Sequence, residues 1–456
     1  MRKAEDFLAQ AEKVAFNAEH RDKMFAFSRS YEKSFIRAKQ QFSNLELART
    51  RAAYLKWKIT ENLDKYLIDF ESNVIRRGGK VLWADDATTA LTEIESIIEK
   101  HQAKTIIKSK TGLADEIGLN EYLRSKSFDI SETDLGEFII DVAKEKSYHM
   151  VLPAIHKSRA EIAGLLNDKV GISLDAEASD ITRDVRDSLR KKFTTADIGI
   201  TGANFLLADT GQVALTENEG NIRLTTAFSK VHIVIAGIDK LLPSINDLDL
   251  FFSLLATYGT SQHLTSYNTI VGPKSADDID GPAEFIVLLV DNGRSNLLAQ
   301  HDQRQALGCI RCGACLNVCP VYLHIGGHAY GTSTPGPIGA VVNQHINQQD
   351  DFKHLSYSSP VCGKCTEMCP VKIDIHNHLV RNRKDDVQQT GGKYSEKLMW
   401  YSWKKFMLSR KNMNKALSIK SFMLKSMFKS AWGERREFPK LAEKSFNQLW
   451  RERFGQ

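Results

Sequence analysis

The chain has 456 residues, 42% of them hydrophobic, with 62 Lys and Arg against 56 Asp and Glu for a formal net charge of +6. That length suits two to four domains with at least one full-sized core. Its first residues, MRKAEDFLAQAEKVAFNAEH, are charged where a signal peptide needs an apolar stretch. Its longest apolar runs, such as FIVLLV at 285–290, fall far short of the roughly 18 residues of a membrane span. A soluble, cytoplasmic protein is expected. All seven cysteines lie between 309 and 369, and an odd, clustered set does not make a secreted disulfide framework.

Residues 1–70 are polar with spaced apolar positions and no proline, which predicts two or three helices. From 71 to 300, β-rich runs (KTIIKSK, VHIVIAGI, EFIVLLVD) alternate with helical stretches (ATTALTEIESIIEKH, EFIIDVAKEKSY). That alternation predicts an α/β domain with a largely parallel sheet. Residues 301–385 hold every cysteine, and 386–456 form a basic, helical C-terminal tail.

Three places in the α/β segment could meet an anion. In KTIIKSKTGLADEIGLN (104–120) a strand gives way to a helix through Lys110, and such a loop presents backbone N–H groups. ADTGQVALTENEGNIRLTT (208–226) reads as two strands joined by a turn at Glu219–Asn221, with Arg223 just beyond. In VDNGRSNLL (290–298) a buried strand ends at Asp291–Gly293 and offers Arg294. Lys110 adds charge to its loop, and a guanidinium grips a carboxylate through two parallel hydrogen bonds, so Lys110, Arg223 and Arg294 are candidate substrate contacts; a plain strand-to-helix turn is the competing reading at Lys110. A surface salt bridge or a packing role is the competing expectation for each arginine. No G-x-G-x-x-G follows a strand, so a dinucleotide site is not indicated.

The cysteines carry the most specific signal. Cys309, Cys312, Cys315 and Cys319 read C-x2-C-x2-C-x3-C before Pro320, and Cys362, Cys365 and Cys369 read C-x2-C-x3-C before Pro370. In such runs three cysteines wrap one iron–sulfur cubane while the fourth reaches the other. Soft thiolates suit the thiophilic iron. Two 4Fe-4S clusters are therefore expected, one on Cys309, Cys312, Cys315 and Cys369, the other on Cys319, Cys362 and Cys365. Zinc also takes C-x2-C pairs, but seven thiolates fit one or two tetrahedral zincs badly.

The second cluster lacks a cysteine. The position matching Cys309 is Ser359. Either Ser359 Oγ, another oxygen or nitrogen ligand, or water completes the site, or the cluster is 3Fe-4S. The competing reading makes Ser359 a turn residue before Pro360. His354 and His376 flank the motif and are expected at the surface or as hydrogen bonders to sulfur.

Residues 393–456 carry 16 Lys and Arg against 5 Asp and Glu, more positive than the whole chain, so the rest is mildly acidic. With Trp400, Trp403, Trp432 and Trp450, the tail suits a solvated helical face, an acidic partner or the surface of an anionic membrane. Nucleic acid is the least favoured ligand.

The segments CIRCGACLNVCPVYLHIGGHAYGTSTPGPIGAVV, SSPVCGKCTEMCPVKIDI, DNGRSNLL and NEGNIRLTT together resemble the iron–sulfur subunits of lactate-utilization systems, the lactate-utilization protein B family. The resemblance runs from about residue 60 to the basic tail. It implies an α/β LUD domain, of the type related to sugar-isomerase and CoA-transferase folds, followed by an α-helical ferredoxin module, with helical N- and C-terminal extensions. The family carries seven cysteines, which makes the missing eighth a family trait. It also implies two partners, a cysteine-rich iron–sulfur subunit and a LUD-domain subunit, which act together in oxidising L-lactate to pyruvate.

The favoured expectation is an electron-transfer subunit that passes electrons to an acceptor the sequence does not name. The alternative is the lactate-binding catalytic subunit, using the LUD pocket or the open corner of the second cluster, with His149, His156, His232 or His263 as base. A nucleic-acid-binding iron–sulfur protein ranks last.

Overall fold

In the computed structural model of the chain, residues 2–275, 277–346, 352–391, 394–410, 437 and 442–455 are described. The chain separates into two compact units, Met1–Arg383 and Lys384–Gln456.

The first unit begins with four helices: α1 (Arg2–Ala15), α2 (Ala18–Ala38), α3 (Leu45–Thr60) and α4 (Leu63–Arg76). Asn17 and Asn44 cap α2 and α3, their side chains accepting the backbone N–H groups of His20 and Leu47. The sequence predicted two or three helices ending near residue 70; α4 continues to Arg76 because Phe70 and Val74 keep its apolar face fully buried.

Ten strands follow: β1 (Lys80–Ala84), β2 (Thr105–Lys108), β3 (Asp129–Glu132), β4 (Ile198–Thr201), β5 (Phe205–Leu207), β6 (Gln212–Glu217), β7 (Val231–Gly237), β8 (Leu241–Leu242), β9 (Tyr267–Val271) and β10 (Glu284–Val290). Six of them form a sheet in the order β1-β10-β7-β4-β2-β3, and every pair in it is parallel. The β-rich runs therefore do build the expected parallel sheet. Its interior strand β10 is buried on both faces: Ile286, Leu288 and Val290 join one core, and Phe285, Val287 and Leu289 the other. From β2 the chain steps outward to β3, whereas from β4 it steps the opposite way to β7 and β10, so loops diverge above the junction of β2 and β4.

A second sheet, β8-β5-β6-β9, takes the first of the two strands expected in 208–226 as β6, while its other strands lie outside what the sequence predicted. One expectation is corrected here. Residues after Gly220 do not form the second strand of a hairpin; Asn221–Phe228 is a helix. Gly220 takes a left-handed conformation at its start, and both carboxylate oxygens of Glu217 accept first-turn N–H groups, from Ile222 at 2.6 Å and Arg223 at 3.0 Å. Those bonds satisfy donors a helix start leaves open, which outweighs the β-branched composition of the segment.

The cysteine-bearing segment is built from short helices, among them Pro320–Ile325 and Gly336–Val342, and ends on Ile375–Thr390. The N-terminal helices cover it. Ser28 of α2 donates to Asn317 O at 3.1 Å, and Arg49 of α3 donates to Cys369 O at 2.9 Å and Glu367 O at 2.7 Å.

The second unit contains helices Tyr394–Met407 and Phe446–Phe454, on which Trp400, Trp403 and Trp450 are exposed. Trp432 lies outside the described residues. Among the described residues, no helix is long and apolar enough to cross a membrane.

Candidate metal centre and the adjoining cleft

The two cysteine motifs fold into the same loop. In the first, Arg311 and Gly313 hold positive φ values of 59° and 75° before a helical turn at Ala314–Asn317. In the second, Val361 and Gly363 hold 56° and 82° before a turn at Lys364–Glu367. Left-handed backbone at a non-glycine residue is costly, so its occurrence at the same step of both loops marks an imposed geometry.

That geometry gathers the thiols in two sets. Cys309, Cys312, Cys315 and Cys369 line one small cavity with Met150, Ile338, Val371 and Ile373. Burial foremost, then the thiol of Cys309, drives Cys312 and Cys315 far above the usual thiol range, and burial raises Cys369 to about 12. Cys319, Cys362 and Cys365 form the other set: burial, with the Cys319 thiol next, raises Cys365 to about 11, and Cys362 adds to the burial that raises Cys319. Cys362 is exposed. Facing thiols in an apolar cavity are poor acids alone, and a cationic metal core is what would let them ionise. The donor set thus fits an iron–sulfur group.

The surroundings support it. The N–H of Arg311 donates to Cys309 Sγ at 3.4 Å, and that of Ile373 to Cys369 Sγ at 3.3 Å. Lys56 of α3, fully buried and lowered to about 8 chiefly by burial, donates to Asp239 O at 2.8 Å and stands near Cys309. Neither Lys56 nor Arg49 carried a sequence signal; both lie over 240 residues before the motifs and reach them only through the fold. Ser359 Oγ accepts the N–H of Val361 at 3.1 Å. His354 packs against the ring of Phe7, and His376 pairs with Thr366 Oγ1 at 2.8 Å.

A cleft of about 330 Å³ adjoins the first loop. It opens beyond the carboxyl ends of the parallel strands, where residues after β2 (Lys110), β4 (Asn204) and β7 (Lys240) meet Arg311 and Thr334 of the cysteine segment. Open α/β sheets bind ligands at this end, near the point where strand order reverses. Lys110 lines it, with its Nζ buried 3.8 Å from Glu137 Oε1 and without a hydrogen-bond partner among the described residues. Burial, with Asp115 next, raises Glu137 to about 8, and burial and Asp134 raise Glu219 to about 7.

The two arginines differ from the expectation. Arg294 lines the cleft, but its guanidinium is engaged by Asp239 and Glu116 at 2.8–3.1 Å. Arg223 is exposed and stands 5.2 Å from the ring of Tyr267, away from the cleft lining. None of His149, His156, His232 and His263 lines the cleft. His149 Nδ1 accepts two backbone N–H groups at 3.1 Å, His232 pairs with Thr201 Oγ1 at 2.8 Å, and burial lowers both to about 3. His156 pairs with Glu145 at 2.8 Å, and the His263 carbonyl accepts from Gln41 at 3.0 Å.

Comparison with known families matches residues 67–290 to the LUD domain and residues 305–373 to a 4Fe-4S dicluster domain. Lactate utilization protein B of Bacillus cytotoxicus is 40% identical over 356 residues, 78% of this chain and 75% of the relative. The proteins of that name from Bacillus thuringiensis and Bacillus cereus are 39% identical over the same shares. A solved DUF162 family protein from Deinococcus radiodurans aligns with 50% of this chain and 98% of its own at 14% identity, with a TM-score of 0.29, too low to bear on the fold.

Proposed function

We propose that this chain, which belongs to the lactate utilization protein B family and has a role in lactate utilization, is the iron–sulfur electron-transfer subunit of a cytoplasmic complex oxidising L-lactate to pyruvate. The observation that carries the reading is the convergence of Cys369, from the second motif, on Cys309, Cys312 and Cys315 of the first. That crossing supports one cluster on those four residues and a second on Cys319, Cys362 and Cys365. Bound there, the clusters would each carry one electron at a time.

Oxidation of lactate to pyruvate releases two electrons and two protons, and two one-electron sites divide such a pair. The chain's own residues tune the sites: Arg311 and Ile373 donate N–H bonds to sulfur, and Lys56 brings positive charge near Cys309. The exposed Cys362 marks the edge through which electrons leave or enter. The partners are a cysteine-rich iron–sulfur subunit and a LUD-domain subunit, with the basic tail offering an acidic partner or a membrane surface its charge.

The cleft favours a second reading, in which this chain holds the lactate carboxylate itself between Lys110, Lys240 and Arg311. Adding L-lactate to the anaerobically purified chain separates the two. The relay requires cluster reduction only after the partner subunits are added; reduction in the isolated chain would transfer the role to the cleft.

A further inference from the structure

The second cysteine loop repeats the spacing of the first at a constant offset of 50 (309 to 359, 319 to 369). Cys312 matches Cys362, Cys315 matches Cys365, and Pro320 matches Pro370. The match extends beyond sequence. Cys309 directly follows a 3-10 turn, Arg304–Gly308, with φ −63° and ψ 122°. Ser359 directly follows a 3-10 turn, Lys353–Ser358, with φ −81° and ψ 135°. Two residues on, both loops turn left-handed, and there each N–H is bonded back: Arg311 N–H to Cys309 Sγ at 3.4 Å, Val361 N–H to Ser359 Oγ at 3.1 Å.

We infer that Ser359 Oγ is the fourth protein ligand of the second iron–sulfur cluster, standing where Cys309 stands in the first. This rests on the reading of the chain as a two-cluster protein.

A turn residue alone would also accept the Val361 N–H, but the first loop shows that a cysteine in the cluster's own donor set makes the same bond. That contact therefore belongs to the ligand position. Ser359 Oγ donates no hydrogen bond among the described residues, so its proton is not held elsewhere. Ligation would break the O–H bond, form an O–Fe bond and release the proton to solvent. Arg383 fixes the segment, its Nη2 donating to Ser359 O at 2.5 Å and Ser356 O at 2.8 Å. A hydroxyl held this way needs little further ordering to bind. The oxygen is a harder donor than sulfur, so one iron of the second cluster would be bound differently from the other three.

The test is Mössbauer and EPR spectroscopy of the full chain, purified anaerobically with 57Fe, beside Ser359→Ala and Ser359→Cys. Ser359→Ala should lose one iron per chain and show an oxidised 3Fe-4S signal, with the first cluster's spectrum unchanged. Ser359→Cys should keep its iron, lose the oxygen-ligated iron subspectrum and show a higher potential for the second cluster only, because a thiolate stabilises the oxidised iron less than the harder alkoxide it replaces. Should Ser359→Ala shed all its iron, the Ser359→Cys result decides. Wild-type spectra in both variants, or a 3Fe-4S centre already present in the wild type, would overturn the assignment. A wild-type chain without acid-labile sulfide would instead overturn the two-cluster reading beneath it.

Discussion

Arg294 Nε donates to Asp239 Oδ1 at 2.8 Å, with both side chains almost wholly buried. Its other nitrogens clasp Glu116, so one guanidinium ties the end of β10 to the loop after β7 and the helix after β2. Burial works against the Asp239 carboxylate, but Arg294 and then Lys240 hold it well below the usual range. Arg294→Met would take the guanidinium from the buried Asp239 and the partly buried Glu116 and should cost about 3–5 kcal/mol, read as a fall in the urea midpoint. Arg223→Ala, at an exposed site, should stay within about 0.5 kcal/mol. Equal effects of the two would contradict this separation of roles.

Crossed ligation makes a prediction that uncrossed loops do not. Cys369→Ala should abolish the first cluster's signal in potentiometric EPR while the second survives, although Cys369 lies in the second motif. Cys319→Ala should do the reverse. If each substitution removes the cluster of its own motif, the two sets have been drawn wrongly.

Acid should weaken the fold partly through His232. Burial lowers it from its ordinary value of 6.5 to about 3, so it stays neutral when folded and takes a proton when unfolded. Its contribution is complete above the unfolded value and is lost as pH falls from there toward the folded one, at about 1.4 kcal/mol per pH unit. His232→Gln, which keeps a partner for Thr201, should flatten the urea midpoint's dependence on pH by that amount between about pH 6 and 5. An unchanged slope would mean that His232 is not neutral in the fold.

Residues 384–456 form a unit of their own, and all seven cysteines precede it. Ending the chain after Gly391 should leave iron and sulfide content intact. It should also lower affinity for partner subunits or anionic vesicles, and remove most of the salt dependence that the full chain shows. Loss of iron on truncation would place the tail within the shell around the clusters.

The sequence made the chemistry legible where the signal is local. Both cysteine loops are set by spacing, glycine and proline within a dozen residues, and the strands β7 and β10 are largely apolar runs of the kind a buried parallel sheet takes. Long-range features stayed hidden. The helix at Asn221–Phe228 depends on a carboxylate upstream, at Glu217, that no periodicity reports. The strands β5 and β8 have three and two residues, too short to show alternation. Arg294 looked available because its partners, Asp239 and Glu116, are 55 and 178 residues away. Lys110 lines the cleft because the turn after β2 does, and that turn could be read directly.

The most direct test of the account is the iron, acid-labile sulfide and Mössbauer content of the chain isolated under anaerobic conditions. Two cubanes on the crossed sets predict about eight irons and about eight sulfides per chain, with a second cluster that loses iron first in air. Bound zinc with no acid-labile sulfide would contradict it.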